Sequence, residues 1–343
     1  MIARANRPLH DTSVVLCTCD RPEGALAAVK SVLRDVPTTQ VIVVDQSQSD
    51  ETEHLLKHLV ESAARGRVIR AEPRGLGVAR NLGVTFSSGA YIAFTDDDCE
   101  VCPGWLAAMR TELFRDPRLG LVFGRVLAPD YDRTQGFVPS YEIPKYVVAD
   151  HIEQKTRIEG MGACMGILRE TWQRLGGFDE ALGSGAPFRA AEDADFAVRA
   201  LLAGWHVAET PAAAVVHYGF RTWAQRDDLI AGYMYGLGAV NMKMLRMAGW
   251  HAIQPLTTLA SRWLVGEPVV NLNHIPPRLA RLRAFLRGAR EGMRTPLDRN
   301  GRFTDAHGPH GGHAGHLGSG SDAGDAGTGR NAANRRSGTN GSG

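Results

Sequence analysis

No stretch of the 343-residue chain supplies the roughly 18–20 uninterrupted apolar residues that a bilayer span requires. The nearest, Leu229 to Met242, is 14 uncharged residues threaded with glycine and tyrosine, so a spanning segment is not expected. The amino-terminal apolar run is too short for a signal-peptide core, and the expected location is cytoplasmic. Net charge is nearly absent: 39 Lys+Arg against 37 Asp+Glu leave +2 with His neutral, and no DNA- or RNA-binding motif accompanies it, which argues against a nucleic-acid partner. Cysteine is scarce. The five (Cys17, Cys19, Cys99, Cys102, Cys164) are an odd number in a long chain and read as reduced thiols, and the lone C-x-x-C at Cys99 and Cys102 has no second pair at metal spacing. Large apolar residues run out at the end of the chain, where Phe303 and Leu317 are the only ones beyond residue 300. Such a composition cannot offset backbone ordering entropy, so residues 299–343 are expected to be a disordered Gly/His-rich tail. His307, His310, His313 and His316 recur there every three residues and are read as compositional drift.

What remains is an ordinary globular composition, 43% hydrophobic and 22% charged, with a strong alternating pattern. SVVLCT (13–18) reads as a buried strand, and QVIVVD (40–45), RVIRA (67–71) and AYIAFT (90–95) read as the strands that follow it. Between them lie helical stripes: Leu26, Val29, Val32 and Leu33 after the first strand, then Leu55, Leu56, Leu59 and Val60 after the second. A Gly-punctuated helix near 76–87 follows the third. Asp20 and Asp50, each with a Glu three residues on, offer helix caps. Strands alternating with helices imply right-handed crossovers and an α/β, mostly parallel sheet whose ligand lies at the carboxyl ends of the strands.

Those ends carry Thr18-Cys19-Asp20, Asp45-Gln46-Ser47, Arg74 and Asp96-Asp97-Asp98. Like charges gathered at one edge need a cation or a hydrogen-bonding ligand to compensate them. One Asp of the triplet can cap a helix, but three in succession after an apolar strand point to a site. In an extended backbone Asp96 and Asp98 share one side and Asp97 faces away, a pair suited to Mg²⁺ or Mn²⁺. For Asp20, cap and site stand as equal alternatives.

The motifs VVLCTCDRP, VIVVDQSQSD, RGLGVARNLG, FTDDDCEVCPGWL, GACMGILRETWQRLGGFDE and AEDADFAVRALLAGW resemble, in order and spacing, the family 2 glycosyltransferases of the GT-A fold over about residues 11–220. The resemblance implies an inverting, metal-assisted transfer of a sugar, usually UDP-linked, from a nucleotide-sugar to an acceptor hydroxyl. It implies that Thr18, Asp20, Asp45, Arg74, Arg80, Asn81, Asp96 and Asp97 line the nucleotide-sugar cleft, with Asp45 reading the base. Asp98, with Asp96, would ligate the metal, and Asp193 would be the general base. Cys164 and Glu192 fall on the acceptor and lid side, Cys164 where relatives often have Asn. His217 stands where some GT-A enzymes place a metal-binding His, although a histidine beside an apolar strand is more often structural. Glu192-Asp193 also suits a plain helix start, since acids favour the first turn. GSGAPFRA (183–190) reads either as a lid or as an ordinary surface loop.

Other classes fit less well. Gly75-x-Gly77 opens a helix with an acid about 20 residues on at Asp96, but Arg80 replaces the third glycine of a dinucleotide fingerprint, which disfavours an NAD-binding oxidoreductase. A nucleotidyltransferase would show a Gly-rich phosphate loop after strand one, where this chain has Thr18-Cys19-Asp20-Arg21-Pro22. A binding module without turnover has no need of Asp96, Asp98 and Asp193.

Beyond 220 the pattern turns helical. Residues 222–250 read as a core-packed helix. In 276–294, Leu279, Leu282, Leu286, Ala289 and Met293 share a face beside six arginines and one glutamate, a local +5. Such a helix can lie peripherally on an anionic inner-membrane face; the preferred reading packs its leucines on the catalytic domain and leaves the arginines in water. The organisation expected is an extension over 1–10, the GT-A domain over 11–220, a helical extension over 221–298 and the tail. The partners expected are a nucleotide-sugar and a glycan, lipid-linked or small-molecule acceptor.

Overall fold

A computed structural model describes residues 11–63, 66–258 and 278–304. The extension expected over 1–10, residues 276–277, and the expected tail beyond 304 with its four histidines lie outside the described residues, while residues 299–304 of that tail are ordered because Phe303 is buried and bridges to Leu297. β-Branched runs alternate with amphipathic helices through the first half: β1 (Thr12–Thr18), α1 (Pro22–Asp35), β2 (Gln40–Asp45), α2 (Glu51–Ala63), β3 (Arg67–Arg70), α3 (Leu76–Phe86) and β4 (Tyr91–Asp96). The second half holds β5 (Cys99–Val101), α4 (Trp105–Arg115), β6 (Leu119–Leu127), β7 (Gly136–Phe137), β8 (Val147–Ala149), β9 (Met165–Leu168), α5 (Arg169–Leu175), α6 (Glu192–Leu202) and the long β10 (His206–His217). β11 (Arg221–Thr222), α7 (Arg226–Ala248) and α8 (Arg278–Arg294) follow.

A nine-stranded sheet runs in the order β3-β2-β1-β4-β9-β6-β10-β5, with β8 on β10. β3, β2, β1 and β4 are parallel. β9 then enters antiparallel to both β4 and β6, and β10 runs parallel to β6. Val14, Val15 and Leu16 of β1 and Val41 to Val44 of β2 are buried on both faces, as continuous apolar runs in a covered sheet must be. The order 3-2-1-4 brings the carboxyl ends of β1, β2 and β4 to one edge, and it is there that the acids meet.

Asp20 is not the α1 cap. The helix begins at Pro22 with Arg21 before it and no side-chain cap, because proline's fixed φ already suits the first turn. Asp20 instead adopts φ +55°, a left-handed conformation that aspartate tolerates, and its carboxylate accepts the Gln48 N–H at 3.0 Å.

α8 also departs from expectation. It runs parallel to α7 and packs through its small residues: a Cβ on Gly288 would lie 1.8 Å from the Tyr235 carbonyl oxygen, and one on Gly238 2.1 Å from that of Phe285. The backbones approach so closely that this face, not the leucine face, is the buried one. Leu279, Leu282, Leu286 and Met293 stand 66%, 44%, 55% and 47% exposed. Among the described residues no helix is long and apolar enough to cross a membrane.

Candidate active site

The turn that follows β4 separates the acids of Asp96-Asp97-Asp98, so the extended D-x-D geometry gives way to three different environments. Asp96, the last strand residue, points its Oδ1 to the Arg80 guanidinium at 3.4 Å. Asp97 is buried, accepts the Thr18 hydroxyl at 2.8 Å and pairs with Arg21 at 3.0 Å. Burial pushes its carboxyl up to about 6 against the pull of Arg21, so Thr18 and Asp97 brace the turn from below. Asp98 meets His217 from the end of β10, with Nε2 to Oδ1 at 3.2 Å, and Arg21 at 2.9 Å. Despite burial, His217 and Arg21 hold Asp98 well below the usual carboxylate range, and Asp98 in turn raises the imidazole above its ordinary value.

His217 has its tautomer fixed, because Nδ1 faces the Pro139 carbonyl at 2.7 Å and must donate there. Nε2 is thereby left to face Asp98. The backbone passes close to both groups: a Cβ on Gly219 would fall 2.5 Å from His217 Nε2 and 2.6 Å from Asp98 Oδ2, closer than a side chain can come. An imidazole nitrogen and a carboxylate oxygen 3.2 Å apart are a fitting donor pair for a divalent cation. Asp98, Cys99 and His217 are the group of potential ligands whose atoms lie within 4.8 Å of one another among the described residues, and Asp96 is not in it. Cys99 is buried and its thiol is pushed well above its ordinary value by that burial, so a hard cation would be served by Asp98 and His217.

Asp193 opens α6. Its Oδ2 accepts the Gly162 N–H at 2.8 Å and its Oδ1 the Ala194 N–H at 2.7 Å, so two backbone N–H groups fix the carboxylate. The residue before this pair, Ala191, sits at φ +71°, a conformation costing an L-residue about 1–3 kcal/mol. Glu192 is buried against Arg80 at 2.6 Å, and burial together with its neighbour Asp193 raises its carboxyl well above the ordinary range. Arg80, almost fully buried and lying near the rings of Phe94 and Phe178, thus ties α3 to Asp96 and Glu192 from beneath. Asp96 feels the fields of Arg80, Asp98, His217 and Asp193 together, so all four charges share one neighbourhood.

Asp45 is fully buried at the end of β2, caps the Ser47 N–H at 2.9 Å and pairs with Arg70 at 3.4 Å. Asp20 reaches the same corner, its N–H donating to Ser47 Oγ at 2.7 Å. Arg74, by contrast, is exposed on the loop before α3. Asn81 faces away from the acids: its amide accepts from the Phe178 N–H and the Trp172 indole and donates to the Phe178 carbonyl and Glu180, locking the 177–180 turn onto α3. Cys164 cannot make the acceptor contact assigned to it, since it is completely buried, and even a Cβ on Gly124 would lie 2.6 Å from its sulfur. The 183–190 segment is pinned by buried Ala186 and Phe188, with Ser184, Gly185 and Arg189 exposed.

Sequence reasoning passed over Arg21, Arg70, Gly162 and Gly219. The first two follow or end a strand and were readable as polar residues near the acids. The glycines had no such signal, because their importance lies in what approaches them from elsewhere in the chain.

This sheet order with an acidic carboxyl edge is that of the GT-A fold. A mannosyltransferase from Pyrobaculum calidifontis, solved in complex with GDP-Man and Mn²⁺, shares the fold with a TM-score of 0.55 at 17% identity, over 85% of this chain and 88% of that one. Residues 13–176 match the Glycosyl transferase family 2 model. Human polypeptide N-acetylgalactosaminyltransferase 15 is 26% identical over 238 residues, 61% of this chain and 36% of the relative's length. The glycosyltransferase YibD of Escherichia coli K12 is 29% identical over 77 residues, 22% of each chain. The chain therefore matches little more than a third of the human enzyme.

Proposed function

We propose that the chain transfers a sugar from a UDP-linked donor to an acceptor hydroxyl, with inversion at the anomeric carbon and with the help of Mn²⁺ or Mg²⁺. The observation that carries this reading is the convergence of four groups: His217 meets Asp98 at 3.2 Å, Arg80 holds Asp96 at 3.4 Å, and Gly162, whose N–H binds Asp193 at 2.8 Å, packs against the same Arg80 guanidinium. Inversion by a single displacement asks for one base and one means of stabilising the leaving group. Asp193, oriented by two backbone N–H groups, takes the acceptor proton. Asp98 and His217 would hold the cation, which when bound neutralises the charge developing on the departing diphosphate. Asp45, fully buried and paired with Arg70, holds the end of β2 and presents Arg70 at the corner where the base would lie. The GDP-Man and Mn²⁺ of the archaeal mannosyltransferase, and the N-acetylgalactosaminyl transfer named for the human relative, support a nucleotide-sugar donor and a divalent metal.

The test is Asp193→Asn. Donor binding is expected to stay within about twofold, while release of nucleoside diphosphate from the donor falls on the order of 10²–10⁴-fold, the usual worth of a general base. Undiminished turnover would place the base elsewhere.

A further inference from the structure

We propose that α8 docks the protein on an anionic lipid surface. Among the described residues, the packing of α8 leaves its most apolar side unpartnered. Gly288 and Gly292 settle against α7, Gly292 so closely that its Cβ would meet Ala239 Cα at 2.7 Å. Leu279, Leu282, Leu286 and Met293 then form a stripe along the outside, each more than two fifths exposed. At 3.6 residues per turn, Arg283, Arg290 and Arg294 project beside that stripe, within about a third of a turn of its centre. All three are exposed, and none has a carboxylate partner among the described residues. Arg287 is exposed as well, with its guanidinium 5.7 Å from the Tyr235 ring. Leucines bordered by arginines along a 17-residue helix are the arrangement that lies in a membrane interface, leucines in the acyl boundary and guanidiniums among phosphates.

Charge selects this occupant over a second copy of the chain. Two α8 helices paired through their leucines would bring arginine rows together, six arginines against one glutamate on each, and like charges at that spacing repel. An anionic bilayer supplies the missing counter-charge along the whole row. Trp250, 72% exposed beyond the end of α7, stands at the Met293 end of α8, because Arg246 reaches the Gly292 and Thr295 carbonyls, both at 2.7 Å. It adds an aromatic of the kind that favours the interface.

The experiment is co-sedimentation of the full chain, without donor, with vesicles of phosphatidylcholine alone or mixed with phosphatidylglycerol. Binding is expected to the mixed vesicles and not to the neutral ones, and to weaken as salt is added. Arg283→Gln with Arg290→Gln is expected to weaken it about 25-fold, about fivefold for each charge. Leu282→Glu with Leu286→Glu is expected to abolish it while leaving Tm and nucleotide binding unchanged. Equal binding to both vesicle types, or undiminished binding by the leucine variant, overturns the proposal. So does a fall in Tm of the leucine variant, which would mean the chain's own residues cover the stripe, or a dimer in solution that this variant disperses. Since no donor is present, failure here leaves the transfer reading standing.

Discussion

At Gly219 the backbone passes so close to His217 and Asp98 that a methyl group would push both side chains aside. Gly219→Ala is therefore expected to weaken Mn²⁺ binding by about 10–100-fold, the range seen when the support of a metal site is disturbed, and to lower Tm as well because buried His217 must shift. Titration calorimetry with Mn²⁺ checks it; unchanged affinity would put the cation somewhere other than between these two residues. The same logic explains what could be read at this scale beforehand. The types and positions of Asp45, Asp98, Asp193 and His217 announce carboxylate and imidazole chemistry. Nothing in the sequence says that Asp96 turns to Arg80 while Asp98 turns to His217, because the turn at Asp97 and the return of β10 decide it. Gly162 is a parallel case, placed where its N–H meets Asp193 and where a Cβ would strike the Arg80 guanidinium at 2.5 Å.

Among the elements, β10 does two jobs. Its end supplies His217, and its middle supplies buried Glu209, which accepts the Glu159 and Gly160 N–H groups at 2.7 and 2.8 Å and the Tyr141 hydroxyl at 3.0 Å. Glu209 thereby anchors the segment leading to Gly162. Burial raises its carboxyl above the ordinary glutamate value, so the folded chain holds this proton more tightly than the unfolded one. From about pH 4.3 up to the raised value the native state binds more protons, and stability falls as pH rises. A glutamine can serve the same donors without a charge. Glu209→Gln should accordingly be more stable than wild type at pH 8 and lose that advantage toward pH 4 in thermal denaturation; a difference independent of pH would contradict the assignment.

α7 joins the sheet domain through charge as well as packing. Lys243, fully buried, contacts Asp179 and lies 2.6 Å from Asp195, while Arg199 pairs with Asp195 at 2.7 Å and the Phe303 N–H reaches Asp179 at 2.8 Å. A cluster that spans the 179 turn, α6, α7 and residue 303 crosses the boundary that the sequence suggests near 220. Lys243→Met should cost about 3–5 kcal/mol in urea denaturation by leaving Asp179 unpaired in the interior, and adding Asp179→Asn should recover part of it. Strands were the legible elements: QVIVVD became β2 without a residue's change, because a run buried on both faces has nowhere else to go. The face of α8 was not legible, since a hydrophobic stripe marks what a helix can bury, and Gly238 and Gly288 decided what it does bury.

For the molecule as a whole, the parallel half-sheet presents Asp45 and the 96–98 turn, and the mixed half returns His217 and Asp193 to the same edge. One sheet edge thus gathers carboxylates, an imidazole and the guanidiniums of Arg21 and Arg80. The most direct measurement is calorimetric titration of the full chain with UDP and GDP, each with and without Mn²⁺, repeated on Asp98→Ala. The account predicts tight UDP binding that depends on Mn²⁺ and is lost in the variant, with GDP weaker. Diphosphate binding indifferent to both Mn²⁺ and Asp98 would contradict the metal site, and the proposed chemistry with it.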